Sequence, residues 1–259
     1  MVASTDPDTR RAGREVVLEV VFRPLSNALV RPLRHLGVSP LAVVLANAAI
    51  GLVAAVVLAR GELIAAAVLL QLKTLLDNTD GQLARATGRV TLVGRYLDTI
   101  ADLVVNVAVL AALGYVTDQP LLALAAFLAL TFVLAADFNA TELYRQAHGI
   151  PTPRPPPAGG RVERLLEGIY GVVFGPLDRV LRAFAAGRFD TCGGYDRFTV
   201  TALANLGLST QLVVLGLCLV LGSPTAYLWF VLACLVALVP LQLRAERQAR
   251  QTAPRSVTR

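Results

Sequence analysis

Four aspartates in the stretch LLDNTDGQLARATGRVTLVGRYLDTIADLVV are the residues of this chain whose types and spacing point to chemistry. Asp77 and Asp80 lie one helical turn apart, as do Asp98 and Asp102, so at about 100° per residue each pair shares a helix face. Gly81 and Ala84 fall on the first of these faces, and Gly94 lies one turn before Asp98. Carboxylates gathered in this way repel one another and are costly to ionise in a low dielectric. They call for a cation. Arg85, Arg89, Arg95 and Lys73 are close in sequence, and hard oxygen ligands at these spacings suit Mg²⁺, Mn²⁺ or Ca²⁺. The small residues leave room either for a ligand or for close helix approach. A single such pair near a helix end serves equally well as a solvated cap or a salt-bridge partner. Four carboxylates on two adjacent helices, with small residues between them, favour a shared cation site.

The elements that position these groups are membrane helices. Of 259 residues, 55% are hydrophobic and only 16% charged, and the mean hydropathy is +0.61. The apolar residues come in blocks of about 20, the length that crosses a bilayer core. The pattern predicts an all-α integral membrane protein with six transmembrane helices, over 40–59, 63–85, 92–114, 121–143, 199–221 and 225–244. Two stretches, 16–38 and 161–186, mix apolar residues at helical spacing with arginines and are expected to be amphipathic helices in the headgroup layer. The expected organisation is a polar tail over 1–15, the interfacial helix over 16–38, a six-span domain over 39–245 and a polar tail over 246–259. The domain's 144–198 connection holds the second interfacial helix. Pro151 to Gly160 reads as an irregular linker.

The net charge of +6 comes from arginine, since Lys73 is the only lysine. Basic residues flanking spans point to anionic lipid headgroups rather than nucleic acid. Among the turns assigned to one side only Arg60 is basic. The other arginines place both termini, the 86–91 loop and the 144–198 connection on the cytoplasmic side of the cell membrane. The first fifteen residues are polar and no signal-like core follows, so insertion is expected from the spans themselves. Cys192, Cys218 and Cys234 show no pairing pattern and are expected to be reduced.

Asp77-x₂-Asp80-Gly81-x₂-Ala84-Arg85-x₈-Gly94-x₃-Asp98-x₃-Asp102 resembles the signature of the CDP-alcohol phosphotransferase family at every position and spacing. The opening of the first span, GVSPLAVVLAN, is similar to that of relatives, with Leu41 and Val44 standing where they carry Asn and Thr. The resemblance implies transfer of a phosphoalcohol from a CDP-linked lipid or alcohol, with CDP-diacylglycerol the expected donor, to an acceptor hydroxyl with release of CMP. It implies two divalent ions, Mg²⁺ or Mn²⁺, on Asp77, Asp80, Asp98 and Asp102, with Asp102 also the general base. Asp80, Gly81, Ala84, Arg85 and Gly94 would lie along the CDP. A homodimer is a further expectation. Glycerol phosphate, inositol phosphate, inositol, serine or another alcohol would all use this core as acceptor.

Lys73, Asp137 and Arg145 are candidates for the acceptor pocket. Lys73 reads equally as an ion-pair partner of Asp77 or Asp137, because a membrane lysine needs a counter-charge. Arg145, with Arg154, Arg161 and Arg164, fits lipid headgroup contact as well as an anionic acceptor. Asn47, Asn106 and Asn205 read as interhelical hydrogen bonds rather than ligands. His35 and His148 have no metal-spaced companion. Two rival readings use the same carboxylates: a transporter, for which polar residues should continue across the membrane, and an inactive scaffold on the same fold.

Overall fold

The structure is a computed structural model and describes residues 13–150, 159–173, 175–176, 179 and 195–252. These residues form helices and short connections. A π-helical turn over Leu18–Phe22 runs into α1 (Arg23–His35), followed by α2 (Pro40–Ala59), α3 (Leu63–Thr87), α4 (Leu92–Val116) and α5 (Pro120–Ala147). After the connection come α6 (Arg161–Val173), α7 (Arg197–Ala204), α8 (Leu208–Val220) and α9 (Pro224–Thr252).

Local chemistry sets the ends of these helices. Ser39 caps α2, accepting the Ala42 N–H at 3.1 Å, and Pro40 fills the first helical position, where a missing N–H costs nothing. Gly88 ends α3 at φ 67°, a left-handed conformation that glycine adopts without strain. Thr91 then caps α4 by accepting the Gly94 N–H at 3.1 Å. The chain thus reverses between α3 and α4 within a few residues, which fixes the relative height of the two aspartate pairs.

Pro40–Ala59, Leu92–Val116, Pro120–Ala147 and Pro224–Gln248 are each long and apolar enough to cross a membrane. Helices α7 and α8, bent by 41° at their junction, are together long and apolar enough for a fifth crossing or a re-entrant loop. The sequence suggested one uninterrupted helix over 199–221. The break follows from Gly207, which caps α8, and from Asn205, which ends α7. Helix α3 is of spanning length but carries Lys73, Asp77 and Asp80, so it is not apolar enough by itself. Val68, Val104, Leu128, Trp229 and Val236 face outward, as residues against lipid do.

Helix α2 packs on both α3 and α4, and α3 also contacts α1 and α8. Helix α5 packs on α4, α7 and α9. Gly51 brings α2 against α4, since a Cβ built there would lie 2.6 Å from Val105 Cγ1. Helices α3 and α4 make little direct backbone approach by comparison, and side chains bridge the gap between their facing sides. Gln71 of α3 donates to the Leu212 carbonyl of α8 at 2.9 Å, the kind of interhelical bond that fixes rotation where hydrophobic burial cannot.

The expected interfacial helix over 16–38 is present as the π-turn and α1. Phe22 and Ser26 are buried, while Val20, Val21, Leu25, Arg31 and Arg34 are exposed. Of the second one, only α6 and a few residues after it are described; α6 packs on α4, with a Tyr96–Tyr170 ring contact at 5.4 Å. Helix α9 continues to Thr252, into the stretch from 246 that the sequence suggests as a polar tail. Ala245 is buried against the bundle, which explains the continuation. Cys218 and Cys234 are free thiols, and Cys192 lies outside the described residues.

Candidate active site

The gap between α3 and α4 is lined by the four aspartates. One carboxylate oxygen from each of Asp77, Asp98 and Asp102 lies within 4.8 Å of the others, a spacing that can hold a metal ion. Asp80 is buried one turn along α3, outside that triad. Asp80 Oδ2 and Asp98 Oδ1 are buried with no hydrogen-bond partner among the described residues. Buried carboxylate oxygens without donors are unfavourable unless a cation reaches them. The donor set, oxygen only and formally anionic, fits Mg²⁺ or Mn²⁺.

Lys73 is 0% exposed, and its ammonium lies between the helices. Nζ is 3.3 Å from Asp77 Oδ1 and 2.5 Å from Asp102 Oδ1. The pairing with Asp77 is one of the alternatives that the sequence left open. The pairing with Asp102 joins α3 to α4 and had no signal in sequence spacing. Asn47 of α2 donates its Nδ2 to Asp77 Oδ1 at 2.9 Å. It forms the interhelical bond expected of it, and its partner is a site aspartate.

Beside the carboxylates, Gly81 and Gly94 present backbone that few described side chains approach. A Cβ built on Gly81 would meet only the Arg85 guanidinium, with Nη1 at 3.5 Å; one on Gly94 would meet only Thr91 Oγ1, at 3.2 Å. Among the described residues, no neighbouring helix comes within 4 Å of a Cβ built on either glycine. Of the two uses that the sequence allowed for them, room for a ligand is therefore the one this geometry suits. Gly51 serves the other use. Arg85 is exposed and lies along Gly81, and Ala84 is half-buried beside it.

A second compartment opens about 100° further round α3, where Asn78 and Gln82 point. It is a cavity of about 840 Å³ bounded also by α1, by α5 and by the segment before α1. Asp137, Thr141 and Arg145, at four-residue spacing on α5, line it with Arg85 and Glu15. Asp137 Oδ1, Gln82 Oε1 and Arg145 Nε are buried there with no hydrogen-bond partners among the described residues. Of the three residues suggested for an acceptor pocket, Asp137 and Arg145 come together. Lys73 does not line this cavity and is engaged by the aspartates instead. Arg161 and Arg164 lie on α6, and Arg154 falls outside the described residues.

Glu15 ends the stretch that the sequence suggests as a polar tail. Its segment is in fact laced to the α7–α8 break, where Asn205 Oδ1 accepts the Val16 N–H at 2.9 Å and Asn205 Nδ2 donates to the Arg14 carbonyl at 2.7 Å. Burial pushes the Glu15 carboxyl above its ordinary value, opposed by hydrogen bonds from the Ser209 hydroxyl and the Thr210 N–H at the start of α8. A carboxylate there also meets the positive end of that helix. Its only signal in the sequence was its place just ahead of the amphipathic stretch.

Residues 38–162 match the family model of CDP-alcohol phosphatidyltransferase. A stretch of 83 residues is 40% identical to the bifunctional IPC transferase and DIPP synthase of Thermococcus kodakarensis. That stretch is 32% of this chain and spans 19% of the archaeal protein's length.

Proposed function

We propose, for a chain that carries a CDP-alcohol phosphatidyltransferase domain across residues 38–162, that it moves a phosphoalcohol from a CDP-linked donor to an acceptor hydroxyl with release of CMP. The observation that carries this reading is the convergence of Asp77, Asp98 and Asp102 within 4.8 Å beside the clear face of Gly81 and Gly94. CDP-diacylglycerol is the donor this reading favours, because the gap lies between helices that face lipid. Asp77, Asp80, Asp98 and Asp102 would hold two Mg²⁺ or Mn²⁺ ions. Bound there, the ions neutralise the diphosphate and make its phosphorus electrophilic.

The remaining roles belong to side chains. Gly81, Ala84 and Gly94 admit the nucleotide to the carboxylate edge, and the Arg85 fork faces its phosphates. Asp102 takes the proton from the attacking hydroxyl. The cavity beyond Arg85 orients the acceptor, with Arg145 offering a donor and Asp137 and Gln82 offering acceptors. Helix α3, clamped by α2 and α8, completes a six-span bundle. On this reading both termini and the site face the cytoplasm at the cell membrane, which the arginine distribution supports.

The test is CMP release by the purified protein from CDP-diacylglycerol, across a panel of phosphorylated and free alcohols, with Mg²⁺, Mn²⁺ or a chelator. Release that needs both a divalent ion and an acceptor supports the reading. Release indifferent to the chelator would refute the metal assignment, and full turnover by Asp102→Asn would refute the mechanism.

A further inference from the structure

Lys73 is a lysine with no solvent exposure, placed inside a helix bundle, and both of its partners belong to the carboxylate cluster. Its length lets it reach across from α3 to α4. Their backbones approach each other little, so four aspartates in the gap would push the two helices apart. The ammonium opposes that repulsion at Asp77 and Asp102, and the Asn47 amide supports Asp77 from α2. The ammonium is fully buried while the Asp77 and Asp102 side chains are 22% and 20% exposed, so this attraction is screened less than that of a surface pair.

We propose that Lys73 is a resident counter-cation that holds Asp77 and Asp102 in place and competes with a divalent ion for them, so that it sets how tightly the cluster takes that ion. The proposal rests on reading the four aspartates as a divalent-ion site. It makes Lys73 a positioning residue and gives its removal two opposite consequences. Without a divalent ion the cluster loses the cation that faces Asp77 and Asp102, and the protein becomes less stable. With one, the ion no longer shares its ligands with an ammonium and binds more tightly. A lysine serving only as packing would produce the first effect alone, and a lysine contacting substrate would produce neither.

The experiment uses the full chain in detergent or nanodiscs with Mn²⁺ alone, comparing wild type, Lys73→Met and Lys73→Arg. Free Mn²⁺ is followed by electron paramagnetic resonance, and thermal unfolding is recorded in EDTA and in saturating Mn²⁺. The expected result for Lys73→Met is Mn²⁺ binding tighter by roughly tenfold or more, as loss of a unit charge a few ångströms away implies. Its unfolding midpoint should fall in EDTA and recover in Mn²⁺. Lys73→Arg should stay near wild type in Mn²⁺ affinity. If Lys73→Met does not fold in EDTA, recovery of the fold on adding Mn²⁺ gives the same answer. The double variant Lys73→Met with Asp102→Asn removes one charge of each sign and should lose less stability in EDTA than Lys73→Met does. Mn²⁺ affinity in Lys73→Met equal to or weaker than wild type would overturn the proposal, as would a stability loss that Mn²⁺ does not reduce. A wild type that takes up no Mn²⁺ would instead remove the ion site itself, and this inference with it.

Discussion

The Asn47 amide on α2 donates to the same Asp77 oxygen that faces the Lys73 ammonium. One carboxylate of the cluster is therefore oriented from two directions, by a neutral group on one helix and a charged group on its own. Asn47→Ala should leave Asp77 free to rotate. A buried hydrogen bond to a charged group contributes about 1.5–3 kcal/mol, so CMP release should fall by about tenfold or more. Initial rates at saturating divalent ion, on protein whose helicity matches wild type by circular dichroism, check this.

Asp98→Asn and Asp102→Asn should each lower turnover by about 10² or more, since each removes an anionic ligand and the latter also removes the proposed base. The two should differ in their pH profiles. Asp98→Asn should keep the wild-type shape at a reduced level, while Asp102→Asn should lose the limb that reports deprotonation of the base. Steady-state CMP release across pH distinguishes them.

Glycines on different helices should respond in opposite ways to the same added methyl group. Gly51→Ala puts a Cβ 2.6 Å from Val105 Cγ1, and overpacking of that kind costs about 1–3 kcal/mol. Gly81→Ala meets only the Arg85 fork at 3.5 Å and should fold as wild type. Its effect should appear as a raised KM for the CDP donor. Thermal unfolding and donor titrations of the two variants provide the comparison.

Glu15 gives a pH prediction of fixed sign. Its carboxyl is pushed above the ordinary value of 4.5 in the folded protein, first of all by burial. The folded state therefore holds the proton more readily than the unfolded state does. The stability this contributes is complete below 4.5 and is lost as pH rises through the higher folded-state value. Glu15→Gln should flatten that decline. Unfolding midpoints of both proteins, taken stepwise upward from acid pH, measure it.

The aspartate positions, the helices that carry them and the turns between those helices were legible in the sequence. Each depends on spacing within one helix or on a run of apolar residues. The contacts between elements were not. Lys73 and Asp77 are four residues apart and their pairing was foreseeable, whereas Lys73 and Asp102 meet only because α2 sets the rotation of both α3 and α4. Glu15 and Arg14 looked like tail because their partners lie about 190 residues later, at a helix break marked only by Asn205 and Gly207. The second compartment draws on α1, α3, α5, the Ala204 end of α7 and the segment before α1, so no stretch of sequence contains its pattern.

The sole lysine of the chain is also one of its most completely enclosed side chains. A lysine-specific protease therefore has one place to cut, and an amine-directed reagent has one side chain to modify. Both sit at the heart of the carboxylate cluster. Cleavage after Lys73 requires α3 to come apart, and acylation of its amine requires the cluster to open. The rate of either becomes a single-site clock for the integrity of this gap, read on unmodified protein in its own membrane.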